Sequence, residues 1–146
     1  MTLPTIALAS DHAGLELKNE LKEYIIDMGY TVEDFGTHSI DSVDYPSYGK
    51  IVANEVVSGN YDLGILVCGT GLGIGITANK VKGVRCAIVS EPYSAMLSRQ
   101  HNNANVIAIG ARVVGSGIAK LIIKTWLEAE FEEDRHARRV SMIEEI

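Results

Sequence analysis

Cysteine is nearly absent: the 146 residues contain two, Cys68 and Cys86. Two cysteines make neither a disulfide framework nor a set with metal-ligand spacing. No apolar run reaches the roughly 18 residues that a membrane-spanning helix needs. Positive charge is in deficit, with 13 Lys and Arg against 19 Asp and Glu, a net of −6. A chain this acidic is not expected to bind nucleic acid, and an anionic ligand must be met by a local cluster of cations. Repeats, low-complexity tracts and Pro/Gly/Ser linkers are also missing, so one domain over residues 1–146 is expected. Met1-Thr2-Leu3-Pro4 lacks the basic and apolar regions of a signal peptide, which makes a reducing cytoplasm the expected compartment. What is present is 47% hydrophobic and 22% charged, ordinary for a globular protein and too apolar for disorder.

The apolar residues fall in an alternation. Short runs at Thr5–Ala9, Thr31–Val32, Leu63–Val67, Cys86–Val89 and Val106–Ile109 are mostly continuous, as strands covered on both faces are. Stretches with helical spacing lie between them. Leu17, Leu21, Tyr24, Ile25 and Met28 form one stripe, with Gly29 as its stop. Pro46 opens a helix at its first position, with Tyr48, Ile51, Val52 and Val56 as its apolar face. Pro92 opens another, carrying Tyr93, Met96 and Leu97. Ile118, Leu121, Ile122, Thr125 and Trp126 make a further stripe, and a last helix covers Asp134–Glu145. A β-α-β-α order implies a parallel sheet with right-handed crossovers. The expected fold is a single-domain, three-layer α/β/α sandwich, Rossmann-like, with five parallel strands and a C-terminal tail helix. Ligands in such sheets bind outside the carboxyl ends of the strands.

The segments after the strands carry the candidates. Asp11 and His12 follow the first run, beside a helix start that favours anions, although Asp11 also suits a plain capping role. Cys68-Gly69-Thr70-Gly71-Leu72-Gly73-Ile74-Gly75 follows the third. Its alternating glycines, each costing about 1 kcal/mol in a helix, allow close backbone approach and an anion-binding concavity of N–H groups. Cys68 at the entry to that loop is placed where a thiolate is favoured. The loop lacks the Lys of a P-loop. Gly73-Ile74-Gly75-Ile76-Thr77-Ala78, with Glu91 18 residues on, fits a loose dinucleotide pattern, but it falls inside a helix rather than at a turn. His101, followed by Asn102 and Asn103, is a candidate for proton transfer near neutrality. Arg112 puts a cation after the fifth run. In the tail, Arg135 and Arg139 share a helix face, a spacing that suits one phosphate or a solvated pairing with the acidic run Glu128–Asp134.

Asp11-His12-Ala13-Gly14, Asp44-Tyr45-Pro46, Cys68-Gly69-Thr70-Gly71-Leu72-Gly73, Ser90-Glu91-Pro92-Tyr93, Arg99-Gln100-His101-Asn102, Gly110-Ala111-Arg112 and the tail Arg135-His136 with Arg139 together resemble the type B ribose-5-phosphate isomerases. That wider family includes isomerases of allose 6-phosphate and galactose 6-phosphate. The resemblance implies reversible conversion of D-ribose 5-phosphate to D-ribulose 5-phosphate through a cis-enediolate, with no metal or organic cofactor. It implies Cys68 as the base, Thr70 assisting, and His101 opening the sugar ring. Asp11, His12, Tyr45, Gly69, Gly71, Gly73, Asn102, Arg112, Arg135 and Arg139 are the expected substrate contacts. It further implies a homodimer, or a dimer of dimers, with sites built from both subunits. The competing expectations are a six-carbon sugar-phosphate isomerase and a non-catalytic sugar-phosphate binder.

Overall fold

The structure, a computed structural model, describes residues 2–146. Five strands form one parallel sheet: β1 (Thr5–Ser10), β2 (Thr31–Asp34), β3 (Leu63–Cys68), β4 (Cys86–Ile88) and β5 (Val106–Gly110). Their spatial order is β2-β1-β3-β5-β4. The short strands β2 and β4 take the edges, and the three buried runs take the centre. Six helices follow: α1 (Leu15–Asp27), α2 (Tyr45–Val57), α3 (Leu72–Asn79), α4 (Pro92–Gln100), α5 (Ser116–Glu128) and α6 (Arg135–Glu144). This is the expected α/β sandwich.

The two faces of the sheet differ in side-chain size, and that difference sets how closely the helices approach. Ile6, Leu8, Ile65, Val67, Ile107 and Ile109 face α1, α4 and α5 and pack around Trp126. Ala7, Ala9 and Ala108 face α2 and α3, beside Leu66, Cys68 and Val106. With so little side chain there, the second helix layer sits close to the strands. A Cβ on Gly64 would come within 2.6 Å of Val52, and one on Gly75 within 2.5 Å of Ile88. Each large aliphatic group buried on the first face contributes about 1.5–3 kcal/mol.

Two details depart from the sequence reading. Helix α2 starts one residue before Pro46, and Ile51 is exposed while Gly49 and Ala53 are buried. Helix α5 is turned from its expected stripe: Ala119, Ile122, Ile123, Trp126 and Leu127 are buried, whereas Ile118 and Leu121 are half exposed. The cause is its position between α1 and α4, which covers more of the helix than one sheet-facing stripe.

A buried cation fastens the chain after β2. Lys18 on α1 is fully buried, and its ammonium donates to both Asp34 oxygens at 2.7 and 2.8 Å and to the Thr37 carbonyl at 2.7 Å. All three of its donors are thus satisfied. The carbonyl of Gly36 and the N–H of Thr37 bond to Ser10, so this segment continues alongside β1 toward the end of the sheet. Among the described residues no helix is long and apolar enough to cross a membrane.

Candidate functional site

The carboxyl ends of β1, β3 and β5 bring one group of candidates together. Asp11 caps the 3-10 turn His12–Gly14, its Oδ1 accepting from the Gly14 N–H at 3.1 Å. His12 Nδ1 accepts the Val43 N–H at 3.1 Å. That bond fixes the proton of the neutral ring on Nε2, which leaves a donor for a ligand. Cys68 closes β3 with 4% exposure, and its Sγ accepts the Gly71 N–H at 3.2 Å. Gly71 makes the strand-to-helix turn at φ +81°, where a Cβ would also lie 2.8 Å from the Ile109 backbone. Thr70 Oγ1 accepts the Leu72 N–H at 3.2 Å.

Two side chains close around this loop. The Arg112 guanidinium lies over Gly69, 3.2 Å from where a Cβ would stand. The Tyr45 ring, 40% exposed at the start of α2, rests on Gly73, whose Cβ would fall 2.5 Å from it. The glycines at 69 and 73 are therefore the space that Arg112 and Tyr45 occupy. The Gly75 N–H is spent on the helical bond to the Gly71 carbonyl, so Gly75 belongs to α3 and not to the loop. The N–H groups of Gly73 and Ile74, in the first turn of α3, have no helical partner. The thiol, the hydroxyl of Thr70, the imidazole of His12 and the guanidinium of Arg112 thus surround a helix N-terminus, a setting suited to an anion and to proton transfer beside it.

The remaining candidates lie at the other edge of the sheet. Helix α4 starts after β4 and runs its nine residues back, about 13 Å, before His101 caps it. His101 and Asn102 therefore precede β5, while Cys68 and Arg112 stand at its far end. Helix α6 docks here too. Its His136 is buried and stacks on His101, and its Glu144 pairs with Arg85. Arg135 and Arg139 project outward, exposed, with no ion-pair partner among the described residues. The acidic run does not neutralise them. One chain assembles Asp11, His12, Tyr45, Cys68, Gly69, Thr70, Gly71, Gly73 and Arg112. It holds His101, Asn102, Arg135 and Arg139 apart from them.

The nucleotide reading fails on two positions. Gly73–Ala78 lies inside α3, and both carboxylate oxygens of Glu91 accept the Ser94 N–H as the cap of α4. That hydrogen bond holds the Glu91 carboxyl below its usual range. Cys86 is a partly buried thiol packed against the core from the edge strand β4, and burial pushes it up to about 12. The Lys18–Asp34 pair, the approach of Glu132 to His101 and His136, and the contact of Val43 with His12 have no sequence signal; each joins residues whose nearness only the fold creates.

The family described as Ribose/Galactose Isomerase matches residues 6–143. The chain belongs to that family. It is an isomerase. It is 51% identical to ribose-5-phosphate isomerase B of Escherichia coli over 138 residues, 94% of this chain and 93% of that protein. It is 52% identical to a solved ribose-5-phosphate isomerase B of Clostridium thermocellum, with a TM-score of 0.95 over 97% of this chain and 95% of that one. A galactose-6-phosphate isomerase subunit of Clostridium acetobutylicum is 40% identical over 92% of this chain and 78% of its own.

Proposed function

We propose that this isomerase interconverts D-ribose 5-phosphate and D-ribulose 5-phosphate through a cis-enediolate. The observation that carries the reading is the Cys68 thiol held at the N-terminus of α3 against the Gly71 N–H. Cys68, as thiolate, takes the C2 proton of the open-chain aldose and returns it at C1. The oxygen that gains negative charge meets the free N–H groups of the α3 turn, where losing one donor costs about 2.7–4 kcal/mol. Thr70 assists proton transfer to the oxygens, and Asp11 and Tyr45 orient the hydroxyls. Before that step, His101 opens the furanose: the C1–O bond of the ring breaks, the ring oxygen gains a proton and the anomeric hydroxyl loses one. His12, Arg112, Arg135 and Arg139 hold the phosphate, with Asn102 beside the sugar.

This assignment requires two copies of the chain. The opposite placement of Cys68 and His101 supports a homodimer in which the carboxyl edge of one subunit faces the His101 and α6 edge of another. Leu72 and Ile76, one turn apart on α3, and Met142 and Ile143 on α6 are exposed apolar residues that a second copy would cover. The galactose-6-phosphate relative favours one second reading, a six-carbon sugar phosphate as substrate. A direct isomerase assay on ribose 5-phosphate, with Cys68→Ala beside the native protein, tests the proposal. Turnover by the native protein and none by the folded variant supports it. Comparable turnover by both removes Cys68 as the base. A larger kcat/KM for allose or galactose 6-phosphate than for ribose 5-phosphate transfers the assignment to the six-carbon sugars.

A further inference from the structure

Glu132 and His136 gather around His101 without a part in the reaction as written above. His136 is 6% exposed, and its Nε2 has no hydrogen-bond partner. The His101 ring lies flat on it, with centroids 4.1 Å apart and planes 6° from parallel. Both Nε2 atoms stand 3.7 Å from Glu132 Oε1. The Glu132 N–H donates to the Gln100 carbonyl at 2.9 Å, and so ties the segment before α6 to the end of α4.

Two imidazoles and a carboxylate this close suggest a metal centre, but the ring planes argue otherwise. An imidazole lone pair lies in its ring plane, and two nearly parallel planes direct their lone pairs side by side rather than to one point. The arrangement suits a shared proton acceptor better. Stacked imidazoles repel when both are charged. His136 is held below the usual histidine range by burial first, then by His101, Arg135 and Arg139, with Glu132 opposing. His136 is also the more enclosed ring, its side chain 7% exposed against 35% for His101, so charge is disfavoured there and the Glu132 carboxylate is left to serve His101.

We infer that His136 and Glu132 are positioning residues for His101. His136 is the flat, uncharged surface that fixes the ring, and Glu132 is the carboxylate that holds the proton on Nε2. His101 Nδ1 is then the free nitrogen. It takes the anomeric proton, the ring becomes an imidazolium steadied by Glu132, and the same proton passes to the ring oxygen as the C1–O bond breaks. At 3.7 Å the contact is longer than a hydrogen bond, so the inference requires it to shorten when substrate is bound. This inference rests on the ring-opening role given to His101.

The test uses the full chain and three variants, His136→Ala, His136→Phe and Glu132→Gln. Nitrogen NMR of the His101 ring reports which nitrogen carries the proton. Isomerisation of ribose 5-phosphate reports the whole reaction. Exchange of the C1 hydrogens of ribulose 5-phosphate in D2O reports the enediolate step alone, because a 2-ketose phosphorylated at O5 closes no furanose ring. Expected are a native His101 protonated at Nε2 and a mixed tautomer in Glu132→Gln. His136→Ala should isomerise at least tenfold more slowly with exchange retained, and His136→Phe should regain most of the rate by keeping a flat face. An unchanged tautomer in Glu132→Gln overturns the inference. So does His136→Phe as slow as His136→Ala with exchange lost alongside isomerisation, which is the mark of a merely structural role. A tautomer that changes while neither His136→Ala nor Glu132→Gln slows isomerisation upholds the positioning and removes the ring-opening role from His101 instead.

Discussion

At the scale of single residues, the proposed chemistry concentrates on Cys68. A positioned general base contributes about 10²–10⁴-fold, so Cys68→Ala should lose about that much kcat while keeping its fold, read by kinetics beside circular dichroism. Asp34 shows the opposite case, a charged group whose work is structural. Burial opposes its charge, but the bonds from Lys18 and Gly36 and the charges of Lys18 and Lys22 outweigh it, so the carboxyl is held below its ordinary value. A carboxyl depressed in the folded state stabilises the protein above the unfolded value, near 3.9, and that stability is lost as pH falls through the folded value. The urea midpoint should therefore drop below about pH 4, and Asp34→Asn should flatten that part of the curve.

At the scale of elements, the turns and layers carry the geometry. Gly71 needs both a left-handed backbone and room against Ile109. Gly71→Ala should cost about 1–3 kcal/mol in chemical denaturation and displace the Gly71 N–H from Cys68. Lys18→Ala leaves Asp34 with Lys22 as its nearest cation at 3.6 Å, and the expected loss is about 3 kcal/mol. The strands and helices were legible because their apolar periods are strong. The runs at residues 63–67 and 106–109 became central strands with every residue buried. The face of α5 was not legible, because two flanking helices rather than one sheet decide what it buries. The site was legible in part. Asp11, Cys68 and Arg112 follow strands, so their meeting could be inferred from topology alone. The separation of His101 from Cys68 could also have been read from the direction of α4, since a crossover helix always returns to the amino edge.

At the scale of the whole molecule, the two-ended arrangement is the central feature. The thiol edge and the histidine edge are separated by the length of the sheet, so in the proposed dimer each active site is divided between two copies. Mixing two inactive variants tests this most directly. Cys68→Ala and His101→Ala subunits, unfolded together and refolded in equal amounts, should regain about a quarter of native isomerase activity on ribose 5-phosphate. Half of the randomly paired dimers are hybrids, and each hybrid carries one intact site of two. Recovery near that level is the expected result. No recovery from hybrids shown to form, or full activity in either variant alone, would contradict a site shared between Cys68 of one subunit and His101 of another.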